Sequence, residues 1–213
     1  MKKIFLGLGG AALLALQAVS VQAQPAAPAV SIQPAVDAPE QRKAFQSYVS
    51  CVAAARPRWA RQTLSHPYLS DAQAGAAAAA LLGGKDSCLR GGDAELTFRT
   101  SSVVASLAEH FVRTEFQKVG LAQRKAALLT ATPLNNSEDF ALCLVAREPA
   151  AAMALALSDF GSETETRTLQ QLVAHMEPCS NKGEQLTVDV QALRALASIA
   201  LYRGMTTALK TRN

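Results

Sequence analysis

The feature that most constrains the fold of this chain is a sequence pattern that occurs twice. Residues 48–52 (YVSCV) match residues 140–144 (FALCL), with an aromatic residue three positions before a cysteine in both. A proline follows each of these cysteines after six residues, at Pro57 and Pro149. Self-similarity at a fixed distance is the signature of a duplicated supersecondary unit, so we expect two similar structural units.

The later part of the pattern recurs as well. The other two cysteines, Cys88 and Cys179, are 91 residues apart, close to the 92 that separate the first two. With a gap of one residue, residues 111–113 (FVR) lie opposite residues 201–203 (LYR). The repeat therefore predicts three segments, which are helical unit 1 (39–112), a connecting helix or loop (113–136) and helical unit 2 (137–209).

Composition identifies these units as helical. Alanine makes up about one residue in five, whereas aromatic residues make up 5% and glycine contributes only 12 residues. Alanine is the strongest helix former, and apolar residues recur at helical spacing, as at Phe45, Tyr48, Val49 and Val52. The sequence thus predicts an all-α fold in which two similar disulfide-stapled units, of three to four helices each, form one pseudo-symmetric helical domain.

The first 23 residues have the composition of an export signal. Lys2 and Lys3 precede an apolar stretch over residues 4–19, and residues 21–23 (VQA) offer small side chains just before a cleavage site. We expect cleavage before Gln24 and a periplasmic or secreted mature protein; the alternative is a signal that is retained as an anchor. No later stretch is long and apolar enough to predict a membrane span.

The non-helical segments that follow the signal are short. Residues 24–38 hold three prolines without a hydrophobic period, and they are predicted to form a Pro/Ala-rich flexible linker. Glu95–Arg99 and Gln185–Val188 are predicted to be briefly extended and to pair with each other.

The four cysteines predict two disulfides. An even number of cysteines in an exported chain indicates disulfide bonding. Their spacings of 37, 55 and 36 residues do not fit zinc knuckles, whose ligand pairs are closely spaced. Equivalent units should carry equivalent bonds, which favours Cys51–Cys88 with Cys143–Cys179. The alternative, Cys51–Cys143 with Cys88–Cys179, would join the two units and break their symmetry.

No residue pattern predicts a catalytic, metal or cofactor site. Ser65, His66 and Asp71 are sequence neighbours, which rarely meet as a triad, and no G-x-S-x-G elbow frames a serine. The three histidines, His66, His110 and His175, include no pair at helical spacing, so a zinc site is not expected. Without the signal the net charge is 19 − 17 = +2, which argues against a nucleic-acid partner.

A candidate ligand groove is predicted in unit 1. Arg56, Trp59, His66 and Tyr68 combine cationic and aromatic side chains of the kind that stack on ligands. The second copy has an alanine of the Ala150–Ala152 stretch in place of Trp59, so a groove of this kind would belong to one copy only. The interpretation that we favour is instead that Trp59 fills a gap left by the small alanine side chains.

Unit 2 also carries a family resemblance. Residues 143–151 (CLVAREPAA), a helix that leads to Cys179, and a last helix that includes residues 200–203 (ALYR) resemble a group of small uncharacterised exported bacterial proteins. The resemblance covers most of residues 40–205. It implies a periplasmic or secreted helical duplicate with paired cysteines, and it implies no activity, cofactor or site residue.

These patterns favour a non-catalytic helical module that binds an unknown protein or small-molecule ligand. The residues that recur between the copies are packing residues rather than polar ones, which is the basis of this expectation. One alternative is a small hydrolase-like enzyme with a site between the two units, where His66 or His175 would lie beside carboxylates. The other is a carrier of an apolar ligand, which would need a large dry cavity.

Overall fold

The computed structural model describes residues 30–33, 38–82, 88, 99–180 and 186–210. Helices dominate this part of the chain, so the predicted all-α class is confirmed. In chain order the α-helices are α1 (Pro39–Ala55), α2 (Pro57–Ser65), α3 (Asp71–Leu82), α4 (Thr100–Thr114), α5 (Leu121–Thr130), α6 (Asn136–Arg147), α7 (Pro149–Leu157), α8 (Glu163–Val173) and α9 (Val190–Lys210). Short 3₁₀ helices, Phe116–Lys118 and Glu177–Cys179, follow α4 and α8.

Prolines set the starts of α2 and α7. Pro57 and Pro149 lie at the start of these helices, where the missing N–H has no intrahelical partner to lose. The residues before them have nearly the same backbone angles, with φ −132° and ψ 60° at Arg56 and φ −127° and ψ 62° at Glu148. Arg56 and Glu148 thus change the chain direction in the same way, and each precedes a helix of nine residues.

The turns after α2 and α7 also have matching conformations. We call residues 66–70 the first turn and residues 158–162 the second turn. Each turn holds one residue in the left-handed region, Leu69 at φ 62° and Gly161 at φ 74°. These two positions are 92 residues apart, the same distance as the two prolines.

Both turns lead into capped helices. Ser70 Oγ accepts from the backbone N–H of Gln73 at 3.2 Å, and Ser162 Oγ accepts from that of Glu165 at 3.1 Å. In return, the Gln73 and Glu165 side chains accept from the backbone N–H of the left-handed residue, at 2.9 and 2.6 Å. This reciprocal bonding resembles a capping box and fixes the direction in which α3 and α8 leave their turns.

Helix α9 lies at the centre of the packing and contacts α4, α5, α6 and α7. The largest fully enclosed apolar side chains are Leu64, Leu107, Phe116, Leu144, Leu155, Leu172, Met176, Leu193, Ile199, Leu201 and Met205. Gly204 allows α5 to approach α9 closely, because a Cβ atom there would lie 2.8 Å from Leu128 Cδ2. The connecting segment between the two predicted units is therefore packed into the core through α5.

Disulfides join Cys51 to Cys88 and Cys143 to Cys179, which is the pairing that the sequence favoured. The two Cα–Cα distances are both 5.7 Å, and the bonds span 37 and 36 residues. A loop of this length is worth about 3–4 kcal/mol in the chain-entropy treatment of disulfides. The first bond ties α1 to Cys88, which precedes α4 in the chain, and the second ties α6 to the 3₁₀ helix that precedes α9.

A two-stranded parallel sheet corrects the predicted strand pairing. Strand β2 (Leu186–Asp189) agrees with the predicted extended segment, but its partner is β1 (Val30–Gln33), which was predicted to be part of the linker over residues 24–38. The predicted partner, Glu95–Arg99, lies outside the described residues except for Arg99. The sequence VSIQ of β1 alternates apolar and polar residues, as a strand does, but the nearby prolines favoured a flexible linker.

The predicted signal, residues 1–23, lies outside the described part of the chain. Among the described residues, no single helix has the length and apolarity to cross a membrane. Helices α6 and α7 reach that length only together, and they are bent by 105° at the break between them.

Candidate functional site

A cavity of about 780 Å³ lies between α1, α4, α9 and the two turns. This volume is typical of small-molecule sites, which measure about 300–1,000 Å³. Both apolar and polar side chains line it. The lining residues are Gln41, Arg42, Ala44 and Phe45 on α1; Tyr68 and Leu69 in the first turn; Arg99, Ser101, Ser102, Ala105, Ser106 and Glu109 at α4; Phe160 in the second turn; and Asp189, Gln191, Ala192, Arg194 and Ala195 at α9.

A buried ion network forms one wall of the cavity. The Arg194 side chain donates from Nε to Glu109 Oε1 of α4 at 2.7 Å, and from one terminal nitrogen to Glu165 Oε1 of α8 at 2.8 Å. Its other terminal nitrogen donates to the carbonyl oxygen of Ser158 at 2.8 Å. One guanidinium thus joins α4, α8 and the second turn to α9.

Arg42 links α1 to the same network. Its terminal nitrogens lie 3.2 and 3.4 Å from the two carboxylate oxygens of Glu165. The Phe160 ring packs against both arginines, with its centroid 4.7 Å from Arg42 Cζ and 4.1 Å from Arg194 Cζ. Guanidinium groups at this distance from an aromatic ring are stabilised by cation–π attraction, so the ring and the carboxylate hold the two cations together.

The charges in this network are paired, although Nε of Arg42 is buried without a hydrogen-bond partner. Burial alone would lower the pKa of Arg194, but its attraction to and hydrogen bonds with Glu109 and Glu165 outweigh burial, so that pKa is raised above its ordinary value. Glu109 also accepts from the side chains of Gln46 and Ser198. Because a guanidinium stays charged near neutral pH, Arg194 is a fixed charge and not a proton donor.

Tyr68 contributes a hydroxyl group to the cavity. The residue is only 4% exposed, and burial, followed by the nearby charge of Asp189, raises its pKa to about 12. The hydroxyl is not among the enclosed polar atoms of the described residues that lack a hydrogen-bond partner. Tyr68 therefore contributes a protonated side chain to the lining of the cavity.

Leu69 lies at the mouth of the cavity in a strained conformation. Its φ of 62° is in the left-handed region, which costs a residue with a Cβ atom about 1–2 kcal/mol. The residue is 58% exposed, so packing against the described residues offsets little of that cost. The second turn has Gly161 in this conformation, where glycine carries no such steric cost. Strained residues of this kind cluster at ligand-binding sites.

Helices α4 and α9 both begin at the cavity. Asp189 precedes α9 and accepts from the backbone N–H of Ala192 at 2.6 Å, which caps that helix. Arg99 precedes α4, and its side chain does not cap the first turn of the helix. Ser101 and Ser102 in that turn line the cavity. The start of α4 therefore presents N–H groups and hydroxyls beside an exposed guanidinium.

A second buried ion pair lies outside the cavity lining. Arg203 of α9 donates to both carboxylate oxygens of Glu138 on α6, at 2.9 and 2.7 Å. It also donates to two backbone carbonyls at the end of α2, and Glu138 accepts from two backbone N–H groups. Both side chains are enclosed and fully bonded, so this pair fastens α2, α6 and α9 and presents no group to a ligand.

The predicted groove residues are only partly brought to the cavity. Tyr68 lines it, whereas Arg56, Trp59 and His66 are absent from the lining. Arg56 lies at the elbow between α1 and α2, and the Trp59 indole donates to the carbonyl oxygen of Ala76 at 2.8 Å, which joins α2 to α3. The carbonyl oxygen of His66 accepts from α9. The predicted groove and the cavity therefore share one residue.

The charged residues of the cavity wall belong to no sequence pattern that predicts a site. Glu109 and Arg194 belong to helices whose buried faces are mostly apolar, and they are 85 residues apart in sequence. A charged residue within an otherwise apolar stretch is a signal of buried pairing. The partner cannot be named from sequence alone, because several residues of opposite charge have similar surroundings.

None of the described histidines lines the cavity. His175 Nε2 is 3.2 Å from Glu148 Oε1 in a partly exposed pair. Burial lowers the pKa of His110 on α4. Among the residues that the structure describes, no group of three or more His, Cys, Asp and Glu side chains is placed to hold a metal ion.

Comparisons of the chain with protein-family models, curated proteins and solved structures find no match. The resemblance of residues 40–205 to exported bacterial proteins therefore stays a prediction. Functional inference for this chain rests on its own geometry and chemistry.

Proposed function

We propose that this protein is an exported, non-catalytic binding module whose ligand occupies the cavity between α1, α4 and α9. The observation that carries this proposal is the cavity itself, with its volume of about 780 Å³ and its mixed lining. Ligand sites combine apolar walls with a few polar groups that orient the ligand. Here aromatic rings and alanines supply the walls, and Tyr68 and the start of α4 supply the polar groups.

The chemistry of the lining favours binding over catalysis. Acid–base catalysis needs a group whose pKa lies near the working pH. Tyr68 stays protonated with a pKa of about 12, Glu109 is held by Arg194, and none of the described histidines is in the lining. A hydrolase-like enzyme is therefore the weaker proposal, although the cavity lies between the two predicted units, where its site was expected.

A carrier of a purely apolar ligand is also less well supported. Arg42, Glu109 and Arg194 line the cavity, and a dry apolar ligand would remove water from these charges without replacing its hydrogen bonds. A ligand with polar as well as apolar parts fits the lining better.

The duplication is part of the same proposal. Helix starts, turn conformations and capping bonds recur 92 residues apart, as described above for α2, α7 and the two turns. Arg113 of α4 donates to two carbonyls at the end of α7, and Arg203 of α9 donates to two carbonyls near the end of α2. On this hypothesis the last helix of each copy caps the second helix of the other, and the cavity forms where the copies meet.

Export is supported by two separate features. Residues 1–23 have the pattern of a signal peptide, and the two disulfides are compatible with an oxidising compartment. N-terminal sequencing of protein recovered from the periplasm or medium tests this part, with Gln24 as the expected first residue. Recovery from the cytosol of protein that begins at Met1 would contradict it.

A cavity-filling substitution tests the binding proposal. Ala105 is half-buried in the lining, whereas Ala126 is exposed on α5 and absent from the lining. We would screen a library of soluble fragments by ¹⁵N–¹H NMR against the wild type, Ala105→Trp and Ala126→Trp. Compounds whose shifts map to the cavity should bind Ala105→Trp at least about tenfold more weakly, a difference of about 1.4 kcal/mol, and bind Ala126→Trp normally.

Two outcomes oppose the proposal. One is a set of hits whose shifts map to another surface of the wild type, a result that holds even if Ala105→Trp folds poorly. The other is a folded Ala105→Trp variant, with a normal circular dichroism spectrum, that binds the cavity compounds as the wild type does.

A further inference from the structure

We propose that the first half of α1, residues 39–47, is a lid that opens to admit a ligand to the cavity while the second half of the helix stays in place. We call these residues the α1 lid. This inference rests on the proposed binding function, because it names how the ligand of that site would enter. Three observations carry it, which concern the packing of α1, its length and the bonds that hold its first half.

The two halves of α1 have different surroundings. The buried residues of the helix all lie in its second half, and they are Tyr48, Val49, Val52 and Ala53. The α1 lid instead contributes four residues to the lining of the cavity, which are Gln41, Arg42, Ala44 and Phe45. By helical spacing the same face packs on the core after residue 47 and borders the cavity before it. Segments with few buried apolar contacts are the ones that open locally.

The α1 lid also makes its helix longer than the corresponding helix α6. Each of these helices carries the first cysteine of a disulfide, and α1 begins 51 − 39 = 12 residues before Cys51, whereas α6 begins 143 − 136 = 7 residues before Cys143. Asn135 caps the start of α6 through its side chain, but the start of α1 has no side-chain cap. The additional turn of α1 therefore lies at the cavity without the bond that fixes the start of α6.

Two polar contacts hold the α1 lid closed. Arg42 donates to the two carboxylate oxygens of Glu165 at 3.2 and 3.4 Å, and the Gln46 amide donates to Glu109. Both carboxylates also accept from Arg194, at 2.8 Å for Glu165 and 2.7 Å for Glu109. Opening of the lid therefore leaves neither carboxylate unpaired, which avoids the large cost of an uncompensated buried charge.

The closed position of Arg42 carries a cost that opening relieves. Its side chain is only 9% exposed, and its Nε atom is enclosed without a hydrogen-bond partner. An enclosed donor without a partner is unfavourable, and this atom would bond to water once the lid moved outward. The pair of Arg42 and Glu165 is thus a latch that combines a strong charge-assisted bond with an unsatisfied donor.

The α1 lid is attached at both ends. Upstream of α1, strand β1 (Val30–Gln33) pairs with β2, and downstream Cys51 is bonded to Cys88. The proposed motion is therefore a local unwinding of residues 39–47 and does not require release of the chain on either side.

Hydrogen exchange of the full mature chain without any ligand measures this motion. Amides of residues 43–47 should exchange at least about tenfold faster than those of residues 52–55, which belong to the anchored half. Arg42→Gln should speed the exchange of residues 43–47 by at least about a further tenfold, because it removes a charge-assisted bond, and should leave residues 52–55 unchanged. Lys43→Gln, at an exposed position of the same helix turn, should change neither rate.

An introduced thiol measures access to the cavity. Ala195 lines the cavity and is 3% exposed, whereas Ala126 is exposed on α5 and absent from the lining. The native cysteines are all disulfide-bonded, so the thiol that reacts is the introduced one. The uncharged reagent dithiodipyridine should react with Ala195→Cys more slowly than with Ala126→Cys. Addition of Arg42→Gln should speed only the reaction of Ala195→Cys, by about tenfold.

Three results would overturn the lid. One is equal exchange in the two halves of α1. Another is reaction of Ala195→Cys as fast as that of Ala126→Cys while Arg42 is present, which would show a permanently open cavity. These two results hold even if Arg42→Gln folds poorly. The third is an Arg42→Gln variant that speeds the exchange of residues 52–55 as much as that of residues 43–47, which would show a general loss of stability.

The outcome for the lid is separate from the outcome for the binding function, because neither measurement uses a ligand. If the lid opens as expected and the fragment screen finds no compound in the cavity, the binding function fails and the motion stands. If cavity compounds bind and Arg42→Gln alters neither rate, the lid fails and the binding function stands.

Discussion

The first and second turns have nearly the same backbone and different chemistry. Each holds a left-handed residue, a serine that caps the next helix and a side chain that returns a hydrogen bond. The first turn uses Gln73 for that return bond, and the second uses Glu165. The first has Leu69 in the left-handed position, and the second has Gly161.

This difference shows how one local frame can serve two roles. The amide of Gln73 turns inward to the carbonyls of Thr63 and His66, which satisfies the first turn locally. The carboxylate of Glu165 reaches outward to Arg42 and Arg194, so the second turn anchors the ion network of the cavity. The two turns share a backbone geometry. The second has a carboxylate where the first has a side-chain amide, and only the carboxylate pairs with arginine side chains.

The largest expected effect comes from making the second turn chemically like the first. Glu165→Gln keeps the capping geometry but removes the charge that two enclosed arginines share, so we expect a loss of about 3–5 kcal/mol in the free energy of unfolding. Urea denaturation measures it. Glu163→Gln, at an exposed position of the same helix, should cost less than about 1 kcal/mol. Equal losses for the two variants would show that the buried network adds nothing specific.

Removal of each disulfide compares the two loops that these bonds close. Cys51→Ser with Cys88→Ser, and Cys143→Ser with Cys179→Ser, should each cost about 3–4 kcal/mol, because the closed loops have nearly the same length. Thermal and urea unfolding of the two double variants provide the measurement. A loss confined to one of the two variants would mean that the two disulfides do not contribute equally to stability.

Exchange of the left-handed residues is expected to have an intermediate effect. Gly161→Leu places a Cβ atom 2.8 Å from Pro39 Cγ in a left-handed backbone, and strain with overpacking should cost about 2–4 kcal/mol. Gly75 in α3 has open space around it, so Gly75→Leu should instead stabilise the helix by about 0.5–1 kcal/mol. A Gly161→Leu variant with the stability of the wild type would show that the second turn tolerates a leucine at the left-handed position as the first turn does.

The smallest effect at neutral pH is expected at Tyr68. The second turn has Phe160 at the corresponding position, and Tyr68→Phe removes only a hydroxyl group, so stability should change by less than about 1 kcal/mol. The wild type should show a tyrosine that ionises near its folded pKa of about 12. An alkaline titration of phenolate absorbance should show this late-ionising tyrosine in the wild type and not in Tyr68→Phe.

The raised pKa of Tyr68 also fixes the sign of its effect on stability. The folded state holds the proton more tightly than the unfolded chain, whose tyrosines ionise near pH 10. The contribution of Tyr68 is therefore fully present below about pH 10 and is lost as the pH rises towards about 12. Tyr68→Phe should remove this part of the alkaline destabilisation; an unchanged alkaline profile would place its cause elsewhere.

Local signals made much of the fold predictable. Pro57 and Pro149 fix helix starts, alanine-rich stretches with helical spacing give the helices, and the recurrence of cysteines gives the disulfide pairing. These features act within a few residues or through a cysteine spacing that recurs in the sequence. Strand β1 was missed because its alternating pattern is only four residues long, and its partner β2 is more than 150 residues away.

Of the four predicted groove residues, only Tyr68 lines the cavity. Trp59, the most conspicuous aromatic residue of the predicted groove, binds the backbone of α3, where an indole N–H finds an acceptor. Glu109 and Arg194 become site residues because α4 and α9 cross where the two side chains meet. Their pairing depends on the approach of two helices, which no spacing within either helix encodes.

The sequence alone determined the helical class and the starts of α2 and α7, because helix propensity and proline geometry are properties of the chain itself. The recurrence of the cysteines favoured the disulfide pairs that the structure contains. Only the tertiary structure decided which charges neutralise one another, where a cavity remains and which residue of a turn faces it. Those outcomes depend on distances between segments that are far apart in the chain, and electrostatic and packing energies change over a few ångströms.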